Sequence, residues 1–347
     1  MVGLALEGGG AKGAYQAGAY MALKKCHIKI DAVTGTSIGA LNAALIASHE
    51  ENLMNDLWTD ASMSELLGMD AQKLETLFKE GFSFSNIKEA FPDIYRILKN
   101  KGIDISSYRA IVRNNVEEEK LRKSNIKYGL TTFKIKEFKR MNMELTQIPK
   151  GQLHDYIVAS SFLPFFRMEK LIDDHYYLDG GFYNLSPVDM LIEMGCNKIY
   201  VVNINGIGHR RKIKPNDSEI IEIKSQKDLG RAMIFTRKNI EDNMFYGYYD
   251  TLKTLNKEDG FDYYFEKKPD YYYKKLNKKI DKDFLGAVSA ILNAKGEKEC
   301  TIKAIEYVFK SQNKTDLKEY SVKECIKEIK TDNSDNIIIR YVKSLNI

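Results

Sequence analysis

The stretch Val2-Gly3-Leu4-Ala5-Leu6-Glu7-Gly8-Gly9-Gly10-Ala11-Lys12-Gly13 joins a short apolar run to a cluster of glycines, and the elements on either side of those glycines decide the fold. The apolar run suits a strand buried on both faces of a parallel sheet. The glycines interrupt it, residues 14–25 then take a helical period, and residues 28–33 form a second strand-like run. Gly35-Thr36-Ser37-Ile38-Gly39 stops that run, and small residues continue as a helix to about position 48. Strand, glycine loop, helix, strand, glycine loop, helix is the pattern of a βαβ unit, so the chain is expected to be α/β with a parallel sheet.

Further along, residues 60–125 are amphipathic and helical in period, which predicts a helical insertion covering one end of the sheet. Strand-like alternation returns at 128–133 and 140–145, a helix spans about 152–160, and Phe162-Leu163-Pro164-Phe165-Phe166 comes next as a broken apolar segment. Residues 176–178 lead into the turn Asp179-Gly180-Gly181, Pro187 opens a helix to Met194, and 198–203 is a further buried strand. Beyond Gly206 the pattern loosens into a strand near 218–225, a long helix over 228–255 and helices near 283–294 and 297–311. The expected organisation is therefore 1–205 as one domain, carrying the 60–125 insertion, and 206–347 as a mixed, mainly helical C-terminal region.

Composition narrows the field. Of the 347 residues 44% are hydrophobic and 29% charged, as in an ordinary folded chain. No apolar run reaches the roughly 18 residues of a membrane-spanning helix, and the N-terminus lacks a secretory pattern. Cys26, Cys196, Cys300 and Cys325 are scattered without C-x-x-C spacing, so neither a disulfide framework nor a zinc site is expected. Together these features suit a cytoplasmic protein. The net charge of +5 is uneven, because residues 206–347 hold 29 Lys and Arg against 23 Asp and Glu. Tyr263-Tyr264-Phe265 and Lys267 to Lys275 mix rings with cations, a candidate patch for a phospholipid headgroup layer. The charge is too modest, and recognition motifs too absent, for nucleic acid.

Gly8-Gly9-Gly10-Ala11-Lys12-Gly13 has the G-x-G-x-x-G spacing of a dinucleotide turn. Backbone N–H groups at such a turn favour any anion, whether a pyrophosphate or the oxyanion of a tetrahedral intermediate. The dinucleotide reading wants an acidic residue at the end of the second strand, whereas here that strand ends in Thr34-Gly35-Thr36-Ser37 and Asp31 lies earlier. In its place stands G-x-S-x-G at Gly35, Ser37 and Gly39, which lifts a serine hydroxyl above the sheet at a sharp strand-to-helix turn. Serine needs a base. Among His27, His49, His154, His175 and His209, only His209 lies downstream of Asp179, and it sits in a basic loop. Asp179 is the other candidate, at a strand end before two glycines, where partial desolvation raises its proton affinity.

These three blocks together resemble the patatin-like phospholipases, with Ala159-Ser160-Ser161-Phe162-Leu163-Pro164, Asn184 and Pro187 also similar to that family. The resemblance covers about residues 1–205, and Lys12 stands where many members carry arginine. It implies a three-layer α/β/α sandwich with a mostly parallel central sheet. It further implies a Ser–Asp dyad without histidine, with Ser37 as nucleophile and Asp179 as base, and no metal or cofactor. The N–H groups along Gly8, Gly9, Gly10, Ala11, Lys12 and Gly13, with that of Ile38, would form the oxyanion hole, while Gly180 and Gly181 shape the turn after the base. The reaction implied is hydrolysis of a fatty-acyl ester of a phospholipid or related lipid at a membrane surface, through an acyl-serine. A lysophospholipase, thioesterase or general esterase shares the dyad, and a nucleotide-binding protein is the rival from another class. Apolar residues of the insertion, such as Leu74, Phe78 and Phe91, would line an acyl groove or a lid.

Overall fold

Val2–Leu6 (β1), Ala32–Thr36 (β2), Lys127–Lys134 (β3), Lys139–Glu144 (β4), Tyr177–Asp179 (β5), Lys198–Asn203 (β6) and Glu219–Lys224 (β7) build one sheet in the computed structural model. Their order is β4-β3-β2-β1-β6-β7, with β5 also laid against β3. The five strands from β3 to β7 along this path run parallel, while β4 and β5 are antiparallel to β3. The residues described are 1–59, 102, 104–164, 166–215, 217–233, 235–331 and 336–347.

The helices of this part are Gly13–Lys25 (α1), Ile38–Ala47 (α2), Glu51–Thr59 (α3), Ser106–Asn115 (α4), Glu118–Lys123 (α5), Leu153–Ser160 (α6), Val188–Glu193 (α7) and Arg237–Thr254 (α8). They lie on both faces of the sheet, as strand alternation requires. On one face Tyr128 donates its hydroxyl to the Ala40 carbonyl of α2 at 3.1 Å, and Thr132 donates to the Ala159 carbonyl of α6 at 3.1 Å. On the other, Ala5, Ala32 and Ile199 pack against Met190, Leu191 and Met194 at α7. The result is the expected α/β/α sandwich with a mostly parallel sheet. A buried polar chain ties the first layer together: Gln16 donates to the Glu7 carbonyl at 2.6 Å, Asn42 to Gln16 at 2.9 Å, and Trp58 to Asn42 at 3.0 Å.

Three boundaries differ from the sequence reading. The strand expected at 28–33 is Ala32–Thr36, because Ile28 closes α1 by donating to the Leu23 carbonyl and the Asp31 carboxylate accepts the Val2 N–H at 2.8 Å. The helix expected from 228 starts at Arg237. The unit expected to end at 205 runs Met1–Thr251, the remainder being Leu252–Ile347. β7 carries the sheet past β6 by a six-residue parallel ladder, and from α8 Asp250 accepts the Tyr15 hydroxyl of α1 at 3.0 Å. The polar, proline-bearing loop before β7 disguised this continuity. Of the expected insertion at 60–125, residues 60–101 and 103, including Leu74, Phe78 and Phe91, lie outside the described residues; α4 and α5 occupy the rest.

The unit Leu252–Ile347 has a small sheet of Glu258–Asp259 (β8), Tyr264–Glu266 (β9) and Glu319–Tyr320 (β10), and helices Asp270–Asn277 (α9), Lys282–Ile291 (α10), Gly296–Ser311 (α11), Val322–Lys330 (α12) and Ile337–Ser344 (α13). It is mixed and mainly helical, with a core that includes Phe265, Tyr273, Phe309 and Tyr341. The expected interface patch needs correction. Tyr263, Tyr264, Phe265 and Tyr273 are buried, and of the rings in that stretch Tyr271 alone, at 72%, is well exposed. Asp259 gathers the cations inward, meeting Lys267 at 2.9 Å and Lys298 at 2.8 Å, and also takes the Tyr273 hydroxyl at 3.0 Å.

Candidate active site

Ser37 occupies the joint between β2 and α2 with φ 57° and ψ −129°, a conformation that costs a residue with a Cβ of the order of 1–3 kcal/mol and points its side chain outward from the bend. The flanking glycines make the bend sterically feasible. A Cβ on Gly35 would stand 2.1 Å from the Gly39 carbonyl oxygen, and one on Gly39 would stand 2.4 Å from that of Leu6. The Ser37 N–H is held by the Ser160 hydroxyl at 2.9 Å, and Thr36 bonds Thr131 Oγ1 and the Asn184 carbonyl at 2.8 Å each.

Asp179 reaches the same place from the far part of the chain through register on β3. Thr36 lies opposite Thr131, and Asp179 lies opposite Thr132. β5 thus continues the edge of β3 where β2 leaves off, so Ser37 and Asp179 become neighbours. The Ser37 hydroxyl lies beside the Asp179 carboxyl, close enough to favour its ionised form, and Asp179 Oδ1 accepts the Gly181 N–H at 2.7 Å. Both side chains are buried, Asp179 being 5% exposed and Ser37 8%. Burial pushes the Asp179 carboxyl up to about 6, with the Ser37 and Gly181 hydrogen bonds opposing the rise.

Both residues line a cavity of about 110 Å³ whose wall is otherwise Gly8, Gly9, Gly10, Ile38 and a set of apolar side chains including Leu163, Phe166, Leu185, Ile207, Met233 and Phe235. Tyr108 and Ser161 are the other polar side chains on the wall, joined hydroxyl to hydroxyl at 2.8 Å. Burial raises the Tyr108 phenol, the Ser161 bond opposing and the Asp179 charge adding to the effect. No lysine, arginine or histidine lines the cavity among the described residues. His175 instead meets Glu137 at 3.2 Å, and the His209 backbone accepts from Leu185 N–H and donates to Gly181, each at 2.8 Å.

The glycine loop is narrower in chemical use than its sequence. Gly8 N–H donates to Leu185 at 3.2 Å, Ala11 N–H to Ala232 at 2.6 Å, Lys12 N–H to Gly9 at 3.3 Å, and Gly13 N–H to the Gly10 carbonyl. Those four, expected in an oxyanion hole, are spent on the fold. Among the described residues no partner engages the N–H of Gly9, Gly10 or Ile38, and these three residues border the cavity. The Lys12 ammonium donates to the Asn205 carbonyl at 3.1 Å, and burial lowers its pKa. At the head of the loop Glu7 is buried and held by Arg210 at 2.8 Å and by Ile204 N–H at 3.2 Å; burial outweighs these bonds and raises its pKa.

Sequence reasoning missed Tyr108 and the wall residues from beyond 205. A tyrosine on an amphipathic helix carries no local mark of a site, and Ile207, Ala232, Met233 and Phe235 lie in loops.

An α/β sandwich with a strained serine beside a buried carboxylate and unengaged N–H groups in an apolar cavity has the parts of an acyl-transfer site. The chain belongs to the patatin-like phospholipase family, whose pattern matches residues 4–192. It is 24% identical over 207 residues to patatin-like phospholipase domain-containing protein 7 of Rattus norvegicus, covering 58% of this chain and 13% of that one. It is 25% identical over 219 residues to lysophospholipase NTE1 of Mycosarcoma maydis, covering 59% of this chain and 10% of that one. The chain therefore spans only about a tenth of the length of these relatives. Among solved structures, VipD from Legionella pneumophila aligns over 98% of this chain and 84% of its own, with TM-score 0.41 and 14% identity.

Proposed function

We propose that the chain hydrolyses a fatty-acyl ester of a phospholipid or lysophospholipid through an acyl-Ser37 intermediate, with Asp179 as the base. The observation that carries this reading is the seating of the strained Ser37 beside the buried Asp179 carboxyl in one cavity, where β2 and β5 abut along β3, with that carboxyl raised to about 6 by its surroundings. Asp179 is ionised near neutral pH yet basic enough to share the hydroxyl proton as Ser37 Oγ attacks the ester carbonyl. Negative charge then develops on the carbonyl oxygen, where the N–H groups of Gly9, Gly10 and Ile38 receive it. Each such donor is worth a few kcal/mol in the transition state. The ester C–O bond breaks, and Asp179 returns its proton to the departing alkoxide. A water molecule attacks the acyl-serine, again losing its proton to Asp179; the acyl–Oγ bond breaks, Asp179 passes that proton to Ser37 Oγ, and the fatty acid leaves.

The cavity supports the substrate class. Its apolar wall accommodates hydrocarbon, and it offers no cation to a phosphate among the described residues. The acyl chain belongs inside, and the headgroup at the mouth or beyond it. The family membership and the lysophospholipase name of one relative point the same way. A fluorophosphonate probe tests the reading: covalent labelling that maps to Ser37 and is lost in Ser37→Ala is expected. Labelling elsewhere, or turnover of a fatty-acyl ester by Ser37→Ala, overturns it.

A further inference from the structure

The tyrosine-rich stretch around Tyr263 to Tyr273 is folded into a core, yet a different segment has the makings of a lipid-facing surface. Residues 205–215 read Asn-Gly-Ile-Gly-His-Arg-Arg-Lys-Ile-Lys-Pro, with four cations and no acidic residue. Every residue from His209 to Pro215 is exposed. Ile207 is 65% exposed and Ile213 39%, although a large aliphatic side chain is favoured by leaving water. Ile207 also lines the cavity of Ser37 and Asp179, so the segment begins at the cavity mouth. Arg210 and Arg211 each hold one carboxylate, Glu7 and Asp189, and still keep 44% and 41% of their side chains in solvent.

We propose that residues 206–215 dock the chain on an anionic phospholipid bilayer, with Ile207 and Ile213 entering the interface and Arg210, Arg211, Lys212 and Lys214 lying among the headgroups. Charge complementarity favours this occupant, since a run of cations with no intervening acid is attracted to an anionic leaflet. Two aliphatic side chains spaced six positions apart among those cations supply the apolar half of an interfacial anchor. The segment is also bound to the site it serves. His209 N–H donates to the Gly181 carbonyl and Leu185 N–H donates to the His209 carbonyl, both at 2.8 Å, which fastens it to the turn after Asp179. Docking there sets the mouth of the cavity against the layer that contains the acyl chains. The inference rests on the proposed lipid substrate for its purpose, but the binding it describes is independent of turnover.

The test is co-sedimentation of the full chain with vesicles of phosphatidylcholine alone and of phosphatidylcholine mixed with phosphatidylglycerol, beside turnover of a water-soluble short-chain p-nitrophenyl ester. The wild-type chain is expected to partition at least tenfold more strongly onto the anionic vesicles. Lys212→Glu and Ile213→Asp, neither of which touches the cavity, are each expected to lower that partitioning by roughly tenfold while soluble-ester turnover stays within twofold. Equal partitioning of both variants and the wild type, or no preference for anionic vesicles, overturns the proposal. Ser37→Ala separates the two readings. It should bind anionic vesicles as the wild type does, so a chain that binds through this segment but hydrolyses no ester refutes the catalytic reading alone. One that hydrolyses the soluble ester but ignores vesicles refutes the docking surface alone.

Discussion

Ser37 and Asp179 stand side by side because their strands abut end to end along one edge of β3, Thr36 facing Thr131 and Asp179 facing Thr132. Their separation of 142 positions in the chain is closed by a ladder of backbone hydrogen bonds rather than by a loop. Regular pairing fixes such distances to fractions of an ångström, which proton transfer over a hydrogen bond demands.

If the pair works as a unit, its losses should not add. Ser37→Ala and Asp179→Asn are each expected to lower kcat/KM on a soluble ester by roughly 10⁴-fold or more, and the double variant should be no slower than the worse single. Steady-state kinetics on the three variants decides this. Activity retained in Asp179→Asn but lost in His175→Ala or His209→Ala would move the base elsewhere.

Activity and stability should respond to pH in opposite directions. As the proposed base, Asp179 must be ionised to accept a proton, so kcat/KM is expected to rise with unit slope and level off above about pH 6, where its carboxyl titrates. In the unfolded chain the same group titrates near 3.9. Between those values the folded state holds a proton that the unfolded state has released. Stability therefore falls as pH rises through this window, by about 3 kcal/mol, and this contribution is constant above it. Asp179→Asn should remove that part of the slope, measured by urea unfolding at pH 4 and pH 7.

Gly39→Ala tests the elbow. The added methyl would begin 2.4 Å from the Leu6 carbonyl oxygen, so β1 and α2 must separate. A loss of about 3 kcal/mol or more in unfolding free energy is expected, with turnover down by at least roughly a hundredfold because Ser37 moves with the bend. An unchanged melting temperature would contradict this close packing of elbow on strand.

Tyr108 and Ser161 should behave as partners. Tyr108→Phe leaves the Ser161 hydroxyl without its 2.8 Å neighbour, and Ser161→Ala does the converse. Each is expected to cost about 1 kcal/mol of stability, and the double variant less than the sum. A double-mutant cycle by thermal unfolding measures the coupling.

Much of the fold and the candidate pair is legible in the chain because the signals are local. A glycine turn, G-x-S-x-G and D-G-G each come directly after a strand, so residue types and period expose both the sheet and the two side chains. The features that escaped have non-local causes. The glycine loop displays six residues with similar N–H groups, and only the positions of Leu185 and Ala232 reveal that Gly8 and Ala11 are already engaged. Tyr263, Tyr264 and Phe265 lie among polar residues much as a surface patch would, yet all three are buried, Tyr263 and Phe265 against Phe309 of α11. β7 is exposed along most of its length and lacks the apolar run that marks β1 and β6, which hid the true end of the first unit.

The end-to-end seating of β2 and β5 has an implication for how such chains diversify. Since the placement of Ser37 beside Asp179 is inherited from β3, the segments joining these strands can change in length without altering that placement. One strand thus sets the geometry of the pair independently of what connects its neighbours.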